Sequence, residues 1–232
     1  MTDEGESIFR AEYGWKTKGG TDWGFSVEGA YNFLDNEGAL AVLDSQGIFQ
    51  PVALTNANSK VTEYRGEFIG SYGRPLLENL SLQATLGGEY SKISQSGAAG
   101  QSRSFVRPKG SVSLAWRPQD DLDVSLKLER SVGQLNFFDF VESVDVSQNN
   151  GNAGNPELVP PQSWRAELEA TQKLGPWGSV TVNIYGEKFS DIVDSIPITT
   201  TTEARGNLDS ATSYGVEMVT SILLDPIGWA GA

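Results

Sequence analysis

The 232-residue sequence contains neither cysteine nor histidine. The absence of cysteine excludes disulfides, thiol nucleophiles and cysteine metal sites. The absence of histidine removes the side chain that most often acts as a general base near neutral pH and most often binds transition metals. We therefore expect no enzymatic activity, no cofactor and no metal centre in this chain.

Positive charge and long apolar runs are also scarce. The formal net charge of −13 argues against nucleic-acid binding, which needs a clustered basic surface. No apolar run approaches the roughly 18 residues of a transmembrane helix. Residues 1–6 have neither the basic stretch nor the apolar core of a signal peptide, which for an exported protein indicates a trimmed form or an internal fragment. No linker divides residues 1–232, so we predict one domain.

What the sequence does contain is alternation of apolar and polar residues, the primary signal for β-strands. In the second segment, Trp23 and Phe25 share one face, while Glu28 and Asn32 share the other. Pro108 interrupts an otherwise good strand and predicts a bulge there or a strand that begins just after it. About nine such segments are present: 8–16, 21–34, 61–72, 80–90, 109–116, 122–130, 163–174, 179–187 and 213–224.

Short and long connections alternate strictly between these segments. Tight polar turns are predicted at 18–22, 73–79, 118–121 and 175–178. Long loops are predicted at 35–59, 94–104, 131–162 and 190–210. Strands that run up and down through a membrane place all short turns on one side and all long loops on the other. The pattern predicts an all-β, antiparallel up-and-down transmembrane β-barrel with short periplasmic turns and long extracellular loops.

Aromatic residues cluster near the segment ends. Trp23 and Tyr31 lie eight positions apart on one face, about 20 Å of height for a tilted strand, which is close to the apolar band of an outer-membrane barrel. The alternative is that these rings fill the core of a soluble sandwich; their repetition at both ends favours the membrane. The short-turn rim would hold Trp15, Trp23, Tyr72, Trp116 and Trp177, and the long-loop rim Tyr31, Tyr64, Tyr90, Trp164 and Tyr214.

Two stretches resemble signatures of TonB-dependent outer-membrane receptors. Residues 154–160, Gly-Asn-Pro-Glu-Leu-Val-Pro, resemble the Asn-Pro-(Asp/Glu)-Leu-x-Pro motif that precedes a late barrel strand in that family. Residues 207–217 resemble the family's Asn-x-Gly-x-Ala-x-x-x-Gly-x-Glu pattern, with Asp209 in place of the usual glycine. The resemblance is sharp in these two stretches and extends over the rest of the chain through the strand rhythm.

The resemblance implies a larger barrel in the bacterial outer membrane, filled by an amino-terminal plug, that imports scarce nutrients such as siderophore complexes. The implied partners are outer-membrane lipid and lipopolysaccharide, the plug domain and remaining barrel strands, TonB through the plug, and a small-molecule nutrient. No plug segment precedes the first strand, and the end of the chain lacks the usual closing aromatic. Nine strands with two open edges cannot be a complete membrane barrel, so we expect a fragment of one, with the plug absent.

The polar faces of the predicted strands carry one candidate site. Arg107, Lys109 and Lys127 lie on adjacent strands and form a basic strip that guides an anionic ligand or holds the plug. The alternative is a ladder of opposite charges across neighbouring strands, worth about 0.2 to 1 kcal/mol per pair. At the loop ends of the lipid-facing sides, Arg130 and Lys188 meet either lipopolysaccharide phosphates or water alone.

The loop at 131–162 is the second candidate. Phe137, Phe138 and Phe140 lie beside Asp139 in a segment without lysine or arginine. Exposed rings favour a role in recognition, here contact with the substrate at the outer mouth. The alternative is that the rings pack against the rim or the plug.

Two other functions fit the same sequence. One is a general outer-membrane porin or adhesion barrel, which would lack the plug and the TonB-contacting segment. The other is a soluble secreted β domain that binds glycans through its aromatic and acidic side chains, and that would remain monomeric without detergent.

Overall fold

A computed structural model describes residues 1–54, 57–97, 100–145, 150–200 and 202–229. Three short 3-10 helices, Phe137–Phe140, Gly175–Trp177 and Asp225–Ile227, interrupt a chain made mainly of strands. Within these ranges no helix is both long and apolar enough to cross a membrane. The strands are β1 (Thr2–Lys16), β2 (Asp22–Asn36), β3 (Leu40–Leu43), β4 (Phe49–Val52), β5 (Ser59–Leu77), β6 (Leu80–Gln95), β7 (Gln101–Gln119), β8 (Leu122–Val132), β9 (Ser143–Asp145), β10 (Asn150–Asn152), β11 (Gln162–Lys173), β12 (Gly178–Pro197) and β13 (Thr202–Ile222).

Nine long strands form an antiparallel meander in the order β1-β2-β5-β6-β7-β8-β11-β12-β13. This confirms the predicted all-β, up-and-down arrangement. The short strands β10 and β9 extend the sheet beyond β13, with β10 parallel to β13. Strands β3 and β4 form a separate hairpin. Among the described residues no ladder joins β1 to the opposite edge, so the sheet remains open.

Successive connections alternate between the two ends of the sheet as predicted, but the predicted alternation of length is only partly correct, because two of the predicted long loops are mostly strand. β12 and β13 remain paired as far as Pro197 and Glu203, within the predicted loop at 190–210. β6 and β7 likewise pair as far as Gln95 and Gln101. These extensions carry polar residues on both faces. They therefore lack the alternation by which a strand is recognised in a sequence.

The prediction for Pro108 was wrong. β7 begins at Gln101, and Pro108 pairs with Gly88 without a register shift. On its other side, β7 pairs with β8 only from Gly110 onward. Proline is tolerated where a strand has a free edge, because no ladder bond is then lost. Pro108 occupies such a free stretch of β7.

The two faces of the meander differ in chemistry. One, the apolar face, exposes large side chains at alternate positions: Val27, Phe68 and Leu126 are each 50% exposed and Ile184 is 48% exposed. Burying such residues stabilises a soluble protein by about 1.5 to 3 kcal/mol each, yet no described segment covers them. The other, the polar face, carries the charged residues of the strands.

Aromatic contacts reinforce both ends of the apolar face. At the short-turn end the rings of Trp23 and Tyr72 meet edge-on with centroids 4.8 Å apart, and Trp15 stacks on Trp23 at 6.1 Å. At the long-loop end the centroids of Tyr31 and Tyr64 are 4.9 Å apart. These rings join neighbouring strands across the sheet, so they do not fill the core of a sandwich.

The hydrophobic core lies at the long-loop end of the polar face. Residues 133–145 and 150–161, here called the inner loop, fold across this face and bring Phe140 and Leu158 against the strands. Phe105, Leu135, Phe137 and Val193 pack around the centre. The buried centre consists of Leu34, Val61, Ile93, Phe140, Val141 and Leu158.

Candidate ligand-binding mouth and polar face

The first family-like motif fixes the inner loop to β13. The Asn155 side chain donates to the backbone carbonyl of Arg205 at 2.8 Å and accepts from the backbone N–H of Glu157 at 2.9 Å. This short turn directs Leu158 into the core, where it is 1% exposed. The motif is therefore a structural anchor that gives the inner loop its direction.

The second motif meets the first through Asn207. Its amide accepts from the backbone N–H of Val159 and donates to the carbonyl of the same residue, both at 2.8 Å. It also donates to the carbonyl of Asp191 at 2.7 Å. One side chain thus joins the inner loop, β12 and β13. Both motifs can be recognised in the sequence, but the contact between Asn207 and Val159 cannot.

Side chains of neighbouring strands hold the rest of the inner loop. Gln95 donates to the carbonyl of Phe140 at 3.0 Å, and Arg103 donates to the carbonyls of Glu157 and Leu158. Both residues lie in the predicted loop at 94–104, although the structure has them on β6 and β7, and the sequence gives no sign of these partners. The hydrogen bond from Gln95 is buried, so it satisfies a carbonyl of Phe140 that water does not reach.

Asp139 is the half-buried acid of the inner loop. Its carboxylate lies 3.5 Å from the guanidinium of Arg205 on β13. Burial raises the pKa of Asp139, and the nearby charge of Arg205 offsets only part of that increase. The loop itself has no lysine or arginine, so the partner comes from a distant strand.

The three phenylalanines of the inner loop have different environments. Phe140 is 2% exposed in the core, and Phe137 contacts it edge-on with centroids 6.4 Å apart. Phe138 is 48% exposed, and its backbone N–H donates to the side chain of Asn136 at 3.0 Å. Phe137 and Phe140 thus pack against the rim, which was the alternative to contact with the substrate. Only Phe138 presents a ring to solvent.

Phe137 and Phe138 line a cavity of about 460 Å³ at the mouth. Glu6, Asn32 and Glu63 line the same cavity. Asn32 donates to the Glu63 carboxylate at 3.0 Å, and Glu63 itself is only 9% exposed. The cavity thus combines aromatic surface with carboxylates, and it lies at the end of the sheet where the inner loop folds inward.

The predicted basic strip is divided by acidic partners. Lys109 forms ion pairs with Glu67 and, at 2.9 Å, with Glu89. Lys127 pairs with Glu129 at 2.7 Å. The contacts of Lys109 favour a ladder of opposite charges across neighbouring strands, whereas Lys127 pairs along its own strand β8.

Arg107 differs from the two lysines. Its guanidinium lies 5.6 Å from the centroid of the Phe105 ring. Its Nε is buried and has no hydrogen-bond partner among the described residues. Of the three predicted cations it therefore retains a donor for a further partner.

Further ion pairs continue across the polar face. Arg65 bonds Glu28 at 3.0 Å, and Arg165 bonds Glu167 at 3.0 Å and Glu187 at 3.2 Å. Within the described ranges no group of three or more acidic side chains is arranged to hold a metal ion. The polar face is thus a network of paired charges, as expected of a wall that faces a polar interior.

Comparison with known protein families identifies the chain. Residues 2–231 match the family model described as "TonB dependent receptor-like, beta-barrel". The chain belongs to this family. The match spans nearly the whole sequence, so it includes both family-like motifs and all nine strands of the meander.

Solved receptors share this fold at low sequence identity. The copper transporter OprC superposes with a TM-score of 0.70 at 11% identity, covering 94% of this chain and 35% of that protein. The hemophore receptor HasR of Serratia marcescens gives 0.65 at 10%, covering 95% and 39%. The ferric-catecholate import receptor Fiu of E. coli K12 gives 0.58 at 11%, covering 94% and 35%. The chain thus spans about a third of these proteins. No curated protein matches it significantly.

Proposed function

We propose that this chain forms part of the barrel wall of a TonB-dependent receptor in the bacterial outer membrane. The receptor would actively import a scarce small-molecule nutrient, such as a siderophore complex, without catalysing a reaction. The observation that carries the proposal is the sheet with one apolar and one ion-paired face, in a chain of this family. The ferric-catecholate receptor Fiu is similar to this chain in fold alone. Ferric catecholates are therefore the first class of nutrient to test.

The apolar face is the proposed contact with outer-membrane lipid, including lipopolysaccharide. Lipid tails solvate large apolar side chains at alternate strand positions, whereas water does not. The rings of Trp23 and Tyr31 lie at opposite ends of this face, where aromatic side chains meet the membrane interfaces. The short turns would then be periplasmic, and the inner loop extracellular.

Phe138 and Asp139 are the proposed ligand contacts at the extracellular mouth. Phe138 offers an exposed ring beside the mouth cavity, and Phe137 and Phe140 support it by packing behind it. On the polar face, Arg107 is the proposed contact for an anionic group of the ligand or of the plug, since its Nε lacks a partner. Lys109 and Lys127 would maintain the wall through their ion pairs.

The open edges of the sheet are the proposed junctions with the remaining strands of the parent barrel. An unpaired edge cannot face hydrocarbon, because its backbone groups would lack hydrogen bonds. Strands β1 and β13 would therefore pair with further strands. A plug domain inside the completed barrel would contact TonB and couple it to transport.

Family membership favours this function over a general porin or an adhesion barrel. The uncovered apolar face favours it over a soluble glycan-binding domain. The test uses the full-length protein in isogenic cells with and without TonB, supplied with radiolabelled ferric catecholate and with other labelled nutrients. Outer-membrane fractionation and TonB-dependent uptake of a nutrient are expected. Uptake independent of TonB would indicate a porin, and a detergent-free monomer would contradict the membrane location.

A further inference from the structure

Charged residues on the apolar face occur only near the ends of the strands. By register, the described apolar positions between the two aromatic rims carry no charge. At the long-loop end, the basic side chains of this face are Lys60, Lys92, Arg130 and Lys188. Asp3 and Asp35 share this face and end, and Asp35 forms an ion pair with Lys60 at 3.4 Å.

Two of these cations lie in a single row across three neighbouring strands. Trp164 on β11 pairs in register with Arg130 on β8 and with Lys188 on β12. Because adjacent strands lie about 4.8 Å apart, the two cations are about 10 Å apart at their backbones, with the indole between them. The guanidinium of Arg130 lies 5.5 Å from the centroid of the Trp164 ring.

This row lies at the boundary between apolar and polar surface. The apolar positions on the membrane side of it are Leu128, Ala166 and Gly186. On the loop side the corresponding positions of β11 and β12 are polar, Gln162 and Ser190. Tryptophan and basic side chains at such a boundary lie at the level of lipid headgroups.

The two cations retain donors for a ligand. Arg130 donates to the Gln162 side chain at 2.7 Å through one terminal nitrogen, which fixes the guanidinium and leaves the other terminal nitrogen without a hydrogen bond among the described residues. Lys188 is exposed and has no ion pair in the described part of the chain. The carboxylate of Asp191, which follows β12's Ser190 beside this row, accepts from Gln162 at 3.0 Å.

We propose that Arg130, Trp164 and Lys188 form a binding site for the phosphate of a phosphorylated glycolipid in the outer leaflet. A guanidinium binds phosphate through paired hydrogen bonds, an ammonium adds charge, and the indole packs against the acyl chain or sugar. The site rests on the proposed membrane orientation, in which this rim is extracellular. The alternative is that water alone solvates the two cations and that no phosphate binds between them.

The test measures binding of diphosphorylated lipid A to the full-length protein in detergent by native mass spectrometry. Each basic residue near an anionic lipid surface contributes about 1 kcal/mol, so the R130Q/K188Q variant should bind lipid A about tenfold to thirtyfold more weakly. The matched control K18Q/R74Q removes two cations at the short-turn end and should bind as the wild type does. Dephosphorylated lipid A should bind wild type and R130Q/K188Q equally.

Unchanged affinity of R130Q/K188Q for diphosphorylated lipid A would overturn the proposal. Inorganic phosphate that competes at the same concentration as lipid A would also overturn it, since a free-phosphate site would then explain the binding. Outer-membrane fractionation of the wild type is measured in parallel. Its failure rejects the proposed function, whereas fractionation with unchanged lipid A affinity rejects only the glycolipid site.

Discussion

The side-chain amide of Asn207 binds both backbone polar groups of Val159, accepting from its N–H and donating to its carbonyl at 2.8 Å each. This contact joins two motifs that are far apart in the sequence. It holds the inner loop folded over the polar face, so the shape of the mouth depends on a residue that does not line the mouth cavity.

Replacing Asn207 with alanine should therefore release the inner loop. The backbone groups of Val159 would lose their partners, at a cost of about 1 to 3 kcal/mol. Hydrogen–deuterium exchange of residues 157–160 in the full-length protein should accelerate, while exchange in β1 and β2 stays unchanged. The exposed T212A variant on the same strand is the control. Equal protection in N207A and wild type would show that the contact does not hold the loop.

Phe140 and Phe138 offer a matched pair, since one ring is buried and the other exposed. F140A should destabilise the inner loop by about 3 to 5 kcal/mol, because it leaves a cavity in the core. F138A should leave loop exchange unchanged and weaken binding of the transported nutrient in equilibrium titrations. Full affinity in F138A would reject its role as a ligand contact.

Lys109 should be more important for stability than Lys127. K109M leaves the carboxylates of Glu67 and Glu89 buried without their cation, which costs about 3 to 5 kcal/mol. K127M removes a more exposed pair with Glu129 and should cost at most about 1 kcal/mol. Denaturant unfolding of the full-length protein in detergent compares the two. Equal midpoints for both variants would contradict the assigned ion-pair ladder.

The inner loop should become more stable as the pH falls. Burial raises the pKa of Asp139, so the folded loop binds this proton more tightly than the unfolded chain does. The stabilisation therefore begins as the pH falls through the raised pKa and is complete below the unfolded pKa. Exchange rates, corrected for intrinsic chemistry, should slow accordingly, and D139N should abolish this dependence. Faster opening of the wild-type loop at lower pH would contradict the assignment.

The strands could be predicted because alternation is a local property of the sequence. Their polar ends could not, since Pro197 and Glu203 pair without any alternating apolar face. Pro108 was mispredicted because its tolerance depends on where the ladder between β7 and β8 stops, at Gly110 and Arg130. The core of the mouth was also beyond prediction: Leu34 and Leu158 are distant in sequence, and only the fold of the inner loop brings them together. The pairing of Lys109 with acids of neighbouring strands was an open alternative, and its ion pairs with Glu67 and Glu89 support it.

Contact between the apolar face and lipid can be measured on β8. Single cysteines at positions 124 to 129 of the full-length protein, reconstituted in bilayers, would carry nitroxide labels. Labels at 124, 126 and 128 should collide mainly with oxygen dissolved in lipid, whereas those at 125, 127 and 129 should not. Equal oxygen accessibility at all six positions, or preferential contact of 124, 126 and 128 with a water-soluble nickel reagent, would contradict contact with lipid.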